Sequence, residues 1–219
     1  MNYFALERVS DPVSEPVTLA QMKLHLNEFT AVTSHDTEIT NLIVAAREWV
    51  EDYTGRALID QSWRLTIGTY EALYSNVDSD TVSGYYRGPQ AKTNDGSILL
   101  LKSPALSIVS FDSVNADGTL TAVDSTTYEL RQADSKDPRI AALSGAQWLT
   151  SQKRIVFRAG FADLDSSPVG DADDVPERFK QAMKLWVEAN YDRDKDMMER
   201  LLDVAERLIK GERRNLQLA

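Results

Sequence analysis

Cysteine is absent from this sequence of 219 residues, and histidine occurs only twice, at His25 and His35. The lack of cysteine excludes disulfides, thiolate nucleophiles and cysteine-ligated metal sites, and it suits folding in a reducing compartment. The two histidines do not have the i, i+4 spacing of a metal-binding pair on a helix. We therefore expect both to be solvated or capping residues.

Motifs of catalysis are equally scarce. The sequence has no GxSxG elbow, no Walker phosphate loop and no GxGxxG. A calcium loop needs alternating oxygen ligands, a glycine for its turn and a closing bidentate carboxylate, but residues 163–165 are followed by Ser-Ser-Pro and that register does not continue. We predict no catalytic residue, no metal site and no cofactor, so the chain is not expected to be an enzyme. An enzyme built from dispersed residues is an open alternative, which ion-dependent turnover would reveal.

Long apolar runs are also missing, since no stretch approaches the roughly 18 apolar residues that a membrane span needs. Residues 1–8 show neither the basic n-region nor the apolar h-region of a signal peptide. We expect no membrane partner, and no export signal in this stretch.

Positive charge is in the minority, because 24 Lys and Arg face 34 Asp and Glu, for a formal net charge of -10. Residues 192–214 carry equal numbers of acids and bases, so the whole excess of acid precedes them. Sequence-independent affinity for DNA comes mainly from cations on phosphates. DNA that meets this protein is therefore expected to slide past without specific binding.

Two periodicities organise the residues that are present. Apolar residues at helical spacing predict helices over 18–27, 36–54 and 176–191, with a capping box of Thr18 and Gln21 at the first start. Residues 61–160 read as short strands with polar and apolar alternation.

These elements predict an α+β, mainly helical fold, in which a helical bundle carries an inserted small antiparallel β-sheet. We divide the chain into an N-terminal arm over 1–17, a main domain over 18–193, and a C-terminal helix and tail over 194–219.

Two segments are candidate interfaces. The insertion 69–97 interrupts the strands and holds four tyrosines, which give contact area at low entropic cost. A loop that packs on itself is an equally good interpretation. The amphipathic C-terminal helix either completes the bundle or presents an apolar face to another subunit. The candidate interface residues are Tyr70, Tyr74, Tyr85, Tyr86, Met198, Leu201, Leu202, Leu208, Ile209, Arg213 and Arg214.

Several ordered segments resemble one known family. They are residues 18–26 (TLAQMKLHL), 39–58 (ITNLIVAAREWVEDYTGRAL), 61–65 (QSWRL), 98–110 (ILLLKSPALSIVS), 154–161 (RIVFRAGF) and 175–191. Together they resemble the head-tail connector (adaptor, or head-completion) family of tailed bacteriophages and gene-transfer-agent-like particles. The sequence departs from that family in the insertion 69–97, in a longer linker before Val175, and in the helix after Asp192.

The resemblance implies a structural role in the virion. Such proteins form a ring of roughly a dozen copies under the portal, extend the DNA channel, and carry the stopper or tail-completion protein. The segment 194–219 is then a candidate for portal docking. The protein would be made in the host cytoplasm, would reside at the head–tail interface, and would have as partners the portal, the stopper or tail-completion protein, and other copies of itself.

Two other functions stay open at this stage. A stopper or tail-completion protein would bind the connector or the tail tube in place of the portal. An acidic DNA mimic or regulatory protein would bind a basic partner and would not form rings.

Overall fold

The computed structural model describes residues 4–29, 31–68, 97–143, 152–161, 174–191 and 195–214. Of these residues 40% are helical, in four α-helices, and 28% lie in strands. The chain divides into two compact units, each built from two separate stretches of sequence. One unit takes its described residues from Met1–Asp11 and Gln61–Ala159, and the other from Pro12–Asp60 and Gly160–Arg214.

The helical unit holds α1 (Leu19–His25), α2 (Asp36–Thr54), α3 (Glu177–Tyr191) and α4 (Lys195–Ile209). The Thr18 hydroxyl accepts the Gln21 amide, and the Gln21 side chain accepts the Thr18 amide, which closes the capping box of α1. Helix α2 ends at Gly55, whose φ of +72° is the left-handed conformation that glycine adopts without strain. Helix α1 packs on α2, α2 on α3, and α3 on α4.

The core of this unit lies between those helices. Its largest fully buried side chains include Met22, Ile39, Leu58, Phe179 and Met183. Trp49 stacks against Trp186 at 6.2 Å and against Tyr53 at 5.8 Å along the edge of this core. No helix of the described residues is long and apolar enough to cross a membrane.

The sheet unit contains two antiparallel sheets. The strands are β1 (Phe4–Arg8), β2 (Gln61–Ile67), β3 (Ile98–Leu99), β4 (Ala105–Val114), β5 (Leu120–Ala122), β6 (Tyr128–Arg131), β7 (Arg139–Ala142) and β8 (Gln152–Ala159). The larger sheet has the order β1-β2-β8-β4-β5, and the smaller one has the order β3-β7-β6. Strand β8 buries alternate residues, including Ile155 and Phe157, so one face of the larger sheet covers the core of the unit.

The prediction of a mainly helical bundle with one small inserted sheet is wrong. The described strands form two sheets, and they make a compact unit of their own, so the fold is α+β with helical and sheet parts of comparable weight. Residues 4–8, which the sequence suggests as part of an arm, pair along their whole length with β2, from Phe4 opposite Ile67 to Arg8 opposite Trp63. Residues 139–142, in a stretch with few strand signals, form the central strand of the smaller sheet.

Candidate interaction surfaces

Both histidines make contacts within the helical unit. Nε2 of His25 lies 2.9 Å from a carboxylate oxygen of Glu188 on α3, and Nδ1 of His35 lies 2.8 Å from the Tyr191 hydroxyl. No group of three or more His, Asp or Glu in the described part of the chain is placed to hold a metal ion. The aspartates at 163, 165, 171 and 173 lie outside the described residues.

The connection between α1 and α2 is held in place by a buried amine. The Lys23 ammonium is almost completely buried, donates to the carbonyl of Val32 and pairs with the Asp36 carboxylate. The Tyr191 hydroxyl donates to Glu28 at 2.8 Å. This hydrogen bond, with burial and the nearby acids, raises the pKa of Tyr191 to about 12, because it stabilises the protonated phenol. These contacts fix the connection to α1, α2 and α3.

Helix α1 and the fixed connection after it present three apolar side chains to solvent. Leu24 is 77% exposed and Phe29 is 79% exposed, and Val32 is also exposed. Large apolar residues at this exposure lose the stabilisation that burial would give them. We call Leu24, Phe29 and Val32 the loop patch.

Helix α4 carries two adjacent apolar stripes. At 100° per residue, Met198, Leu202, Ala205 and Ile209 form an inner stripe, and Ala205 and Ile209 are fully buried in the core of the unit. The outer stripe, displaced by about a quarter turn, consists of Met197, Leu201, Val204 and Leu208. Val204 is 44% exposed and Leu208 is 39% exposed. The helix therefore completes its own unit with one stripe and presents the other.

The predicted interface residues divide between these stripes. Met198, Leu202 and Ile209 belong to the inner stripe, whereas Leu201 and Leu208 belong to the outer one. Sequence reasoning groups all five on one face and overlooks Met197 and Val204. The i, i+4, i+7, i+11 spacing of 197, 201, 204 and 208 is the signal that separates the second stripe. Tyr70, Tyr74, Tyr85 and Tyr86 lie outside the described residues.

The residues that follow α4 are anchored to the end of α2. Arg56 pairs with the Glu212 carboxylate at 3.0 Å, and Arg178 also contacts that carboxylate. The backbone amide of Arg214 donates to the carbonyl of Thr54 at 2.9 Å. The methylenes of Arg214 lie against Gly55, where an added Cβ would come within 3.4 Å of Arg214 Cδ. We call these contacts the C-terminal anchor.

Arg213 and Arg214 differ in their exposure to solvent. Arg214 is buried within the helical unit, whereas Arg213 is exposed and its guanidinium lies 5.6 Å from the centre of the Tyr53 ring. Of the predicted pair, Arg213 is therefore the one whose charge faces solvent.

A buried ionic cluster ties the segment before α1 to the turn after α2. Arg47 pairs with Glu15 at 2.9 Å and with Glu51 at 3.1 Å, and both Arg47 and Glu51 are nearly inaccessible to solvent. The other oxygen of Glu51 accepts the Leu58 amide at 2.8 Å. Burial raises the pKa of Glu15, and the Arg47 guanidinium offsets that rise only in part. These charges are paired and inward, so the cluster is structural.

The sheet unit shows fewer features of an interaction surface than the helical unit. The Lys153 amine donates to Ser113 Oγ at 2.7 Å between β8 and β4, and its burial lowers its pKa. Val109 on β4 and Leu120 on β5 are exposed singly, one on each strand. Isolated apolar residues of this kind are ordinary on a protein surface.

Two comparisons with known proteins find nothing, since no family model and no curated protein matches the sequence. The fold, in contrast, matches solved structures. A chain in the virion of the native gene transfer agent particle superposes with a TM-score of 0.62. Chains in the neck of the empty particle, computed with C6 symmetry, and in the neck of the native particle, computed with C12 symmetry, give 0.61 and 0.59.

Each of these matches has 20% sequence identity and covers 90% of this chain and 94% of the other. At that identity the likeness establishes the fold. This chain therefore has, over nearly all of its length, the fold of a chain found in the neck of a gene transfer agent particle.

Proposed function

We propose that this chain is a non-enzymatic structural protein in the neck of a tailed phage or phage-like particle. More narrowly, it acts as the head–tail connector, or adaptor. Roughly a dozen copies form a ring under the portal, extend the DNA channel and carry the stopper or tail-completion protein.

The observation that carries this proposal is the extent of the shared fold. The matches take in 90% of this chain and 94% of the neck chains, so the likeness extends over residues of both units. The neck structures were computed with C6 and C12 symmetry, which supports a cyclic arrangement for this chain too. The ordered segments that resemble the connector family point to the same position in the particle.

The charge balance fits a channel for DNA. The net charge is -10, and a lumen lined by part of this acidic excess would repel phosphate within a Debye length of about 8 Å at physiological salt, while the rest of the excess would serve solubility. DNA would then leave the head without being retained on the wall of the channel.

Mass photometry of the purified chain with the portal ring of the same particle tests the proposal. We expect a discrete complex whose added mass equals roughly a dozen chains of 24.5 kDa. A chain that binds the connector or tail tube, and leaves the portal bare at every salt concentration, would be a stopper or tail-completion protein. A chain that binds only a basic partner as a monomer or dimer would be an acidic inhibitor.

We further propose that the segment 194–219 docks on the portal. The position of the C-terminal anchor decides which truncation tests this without unfolding the helical unit. Truncation after Arg193 removes Ala205, Ile209 and Glu212, so we expect the free energy of unfolding to fall by at least about 4 kcal/mol. Truncation after Arg214 keeps the anchor and should leave the melting temperature unchanged. If residues 215–219 contribute to docking, this shorter truncation weakens portal binding at least tenfold, as measured by biolayer interferometry.

Arg213→Ala gives the companion test of docking, because its charge faces solvent while its backbone stays in the anchor. Normal portal binding by both Arg213→Ala and the chain ending at Arg214 would refute docking through Arg213 and residues 215–219.

A further inference from the structure

We propose that the outer stripe of α4 in one copy packs on the loop patch of the next copy, and that this contact closes the ring. The inference rests on the proposed ring and adds to it the surfaces through which the subunits meet.

The first support is where exposed apolar residues concentrate. Ten large apolar side chains of the described residues are exposed, and six of them belong to the loop patch or the outer stripe. The other four are dispersed over the segment before α1 and over β4 and β5. Two concentrated patches in one unit need covering by something, whereas single residues do not.

The second support is the position of the two patches. In the packing order α1, α2, α3, α4, the loop patch belongs to the first helix and the connection that follows it, and the outer stripe belongs to the last helix. A closed ring needs a heterologous interface, in which two different surfaces of one subunit meet its two neighbours. Two different surfaces, one on each of the two outermost helices of the unit, meet that need. A two-fold dimer would instead bring the same surface of both copies together, so it would need only one of them.

The third support is charge. Arg200 and Arg207 lie on α4 directly beside the outer stripe, on its solvent side, and Arg207 pairs with Asp203 one turn away. Around the loop patch the charged residues are Glu28, Asp36 and Glu38, and no Lys or Arg occurs between Lys23 and Arg47. The positive charge of Arg200 beside one patch and the acidic margin of the other favour contact between unlike patches, and the acidic margin disfavours contact of the loop patch with itself.

Both surfaces are also ordered before they meet. Lys23 and Tyr191 hold the connection that bears the loop patch, while the inner stripe and the C-terminal anchor hold α4. Little conformational entropy is then lost on association. Because each patch is only a few side chains wide, a single contact is expected to be weak, and the ring gains stability when it closes on the portal.

The absence of cysteine makes a direct test possible, because the only thiols in a variant are the introduced ones. Rings are assembled on thiol-blocked portal from the double variant Phe29→Cys/Leu208→Cys and treated with a short bismaleimide. A heterologous contact is expected to give a ladder of covalent dimers, trimers and longer products in denaturing gels. An equimolar mixture of the two single variants is expected to stop at dimers, and each single variant alone should stay monomeric.

The matched control is Val13→Cys/Leu208→Cys. Val13 is 92% exposed, more than Phe29, but belongs to neither patch, so random collisions would cross-link it at least as well. All three positions are exposed, and unchanged melting temperatures verify that the variants fold.

The outcomes separate the two proposals. Rings that form on the portal without a ladder above the Val13 control, or with dimers from a single variant alone, would overturn this interface while leaving the connector function intact. The absence of rings with the cysteine-free chain would overturn the proposed function, and this interface with it.

Discussion

Gly160→Ala is expected to lower the free energy of unfolding by about 3–5 kcal/mol, the largest effect we foresee for a single methyl group. Gly160 has a φ of +150°, which side chains rarely adopt. A Cβ built there would lie 2.5 Å from the backbone nitrogen of Asp60 and 2.5 Å from the carbonyl of Ile59. The neighbouring amide of Phe161 donates to the Leu58 carbonyl at 3.2 Å, so the two backbones cannot separate without losing that bond.

At about 2–4 °C per kcal/mol for a chain of this size, the melting temperature should fall by roughly 6–20 °C. Near-ultraviolet circular dichroism is the natural probe, because the stacked Trp49 and Trp186 lie in the same unit as Gly160.

Two other glycines provide matched controls. Gly118 has a φ of +83° but nothing within 4 Å of an added Cβ, so Gly118→Ala should cost only the backbone term, about 1–2 kcal/mol. Gly211 has neither a positive φ nor a neighbour within 4 Å, and Gly211→Ala should change stability by less than about 1 kcal/mol. If Gly160→Ala cost no more than Gly118→Ala, the close approach at Ile59 would be wrong.

Glu51→Ala should destabilise the helical unit by about 3–5 kcal/mol. The substitution leaves the Arg47 guanidinium buried with Glu15 as its nearer remaining partner, and it removes the acceptor of the Leu58 amide. Breaking one side of a buried pair costs more than the pair contributes, because the surviving charge has already lost its water. Urea denaturation followed by the near-ultraviolet signal measures the loss.

Glu51→Gln dissects this effect. The amide oxygen can still accept from Leu58, so the variant should lose only the charge term and fall between Glu51→Ala and the original protein. Asp203→Ala breaks a pair of the same chemistry, with Arg207, on the exposed side of α4, and should cost no more than about 0.5 kcal/mol. Equal effects of Glu51→Ala and Asp203→Ala would show that the Arg47 cluster is not desolvated.

Local signals place the helices well. The capping box at Thr18 and the apolar spacing before Gly55 depend on residues within a few turns of one another, and α1 and α2 lie where those signals indicate. The amount of β-structure could not be predicted in the same way. Strand β1 has only five residues and its partner is about sixty residues away, and β7 has only four residues. Such strands are stabilised by pairing, which a local pattern does not encode.

The candidate surfaces were predictable in part. Periodicity identifies α4 as amphipathic, but it cannot say which half of a wide apolar sector faces the core of the unit. The burial of Arg214 depends on its contacts with Gly55 and Thr54, which are far away in the sequence, so no local motif predicts it. The loop patch is missed because its exposure follows from Lys23, a residue type that is almost always assigned to the surface.

The interleaving of the two units along the chain has a consequence for biosynthesis. From Phe4 the chain runs in the sheet unit, crosses to the helical unit at Pro12, returns at Gln61 and leaves again at Gly160. A ribosome therefore releases α1 and α2 long before α3 and α4 exist to cover Ile39, Ile43 and Val50. All the described strands of the sheet unit have been synthesised once translation passes Ala159, but the helical unit cannot be completed until translation nears Arg214. The protein should therefore depend on holdase chaperones during synthesis more than a chain whose units follow one another in sequence.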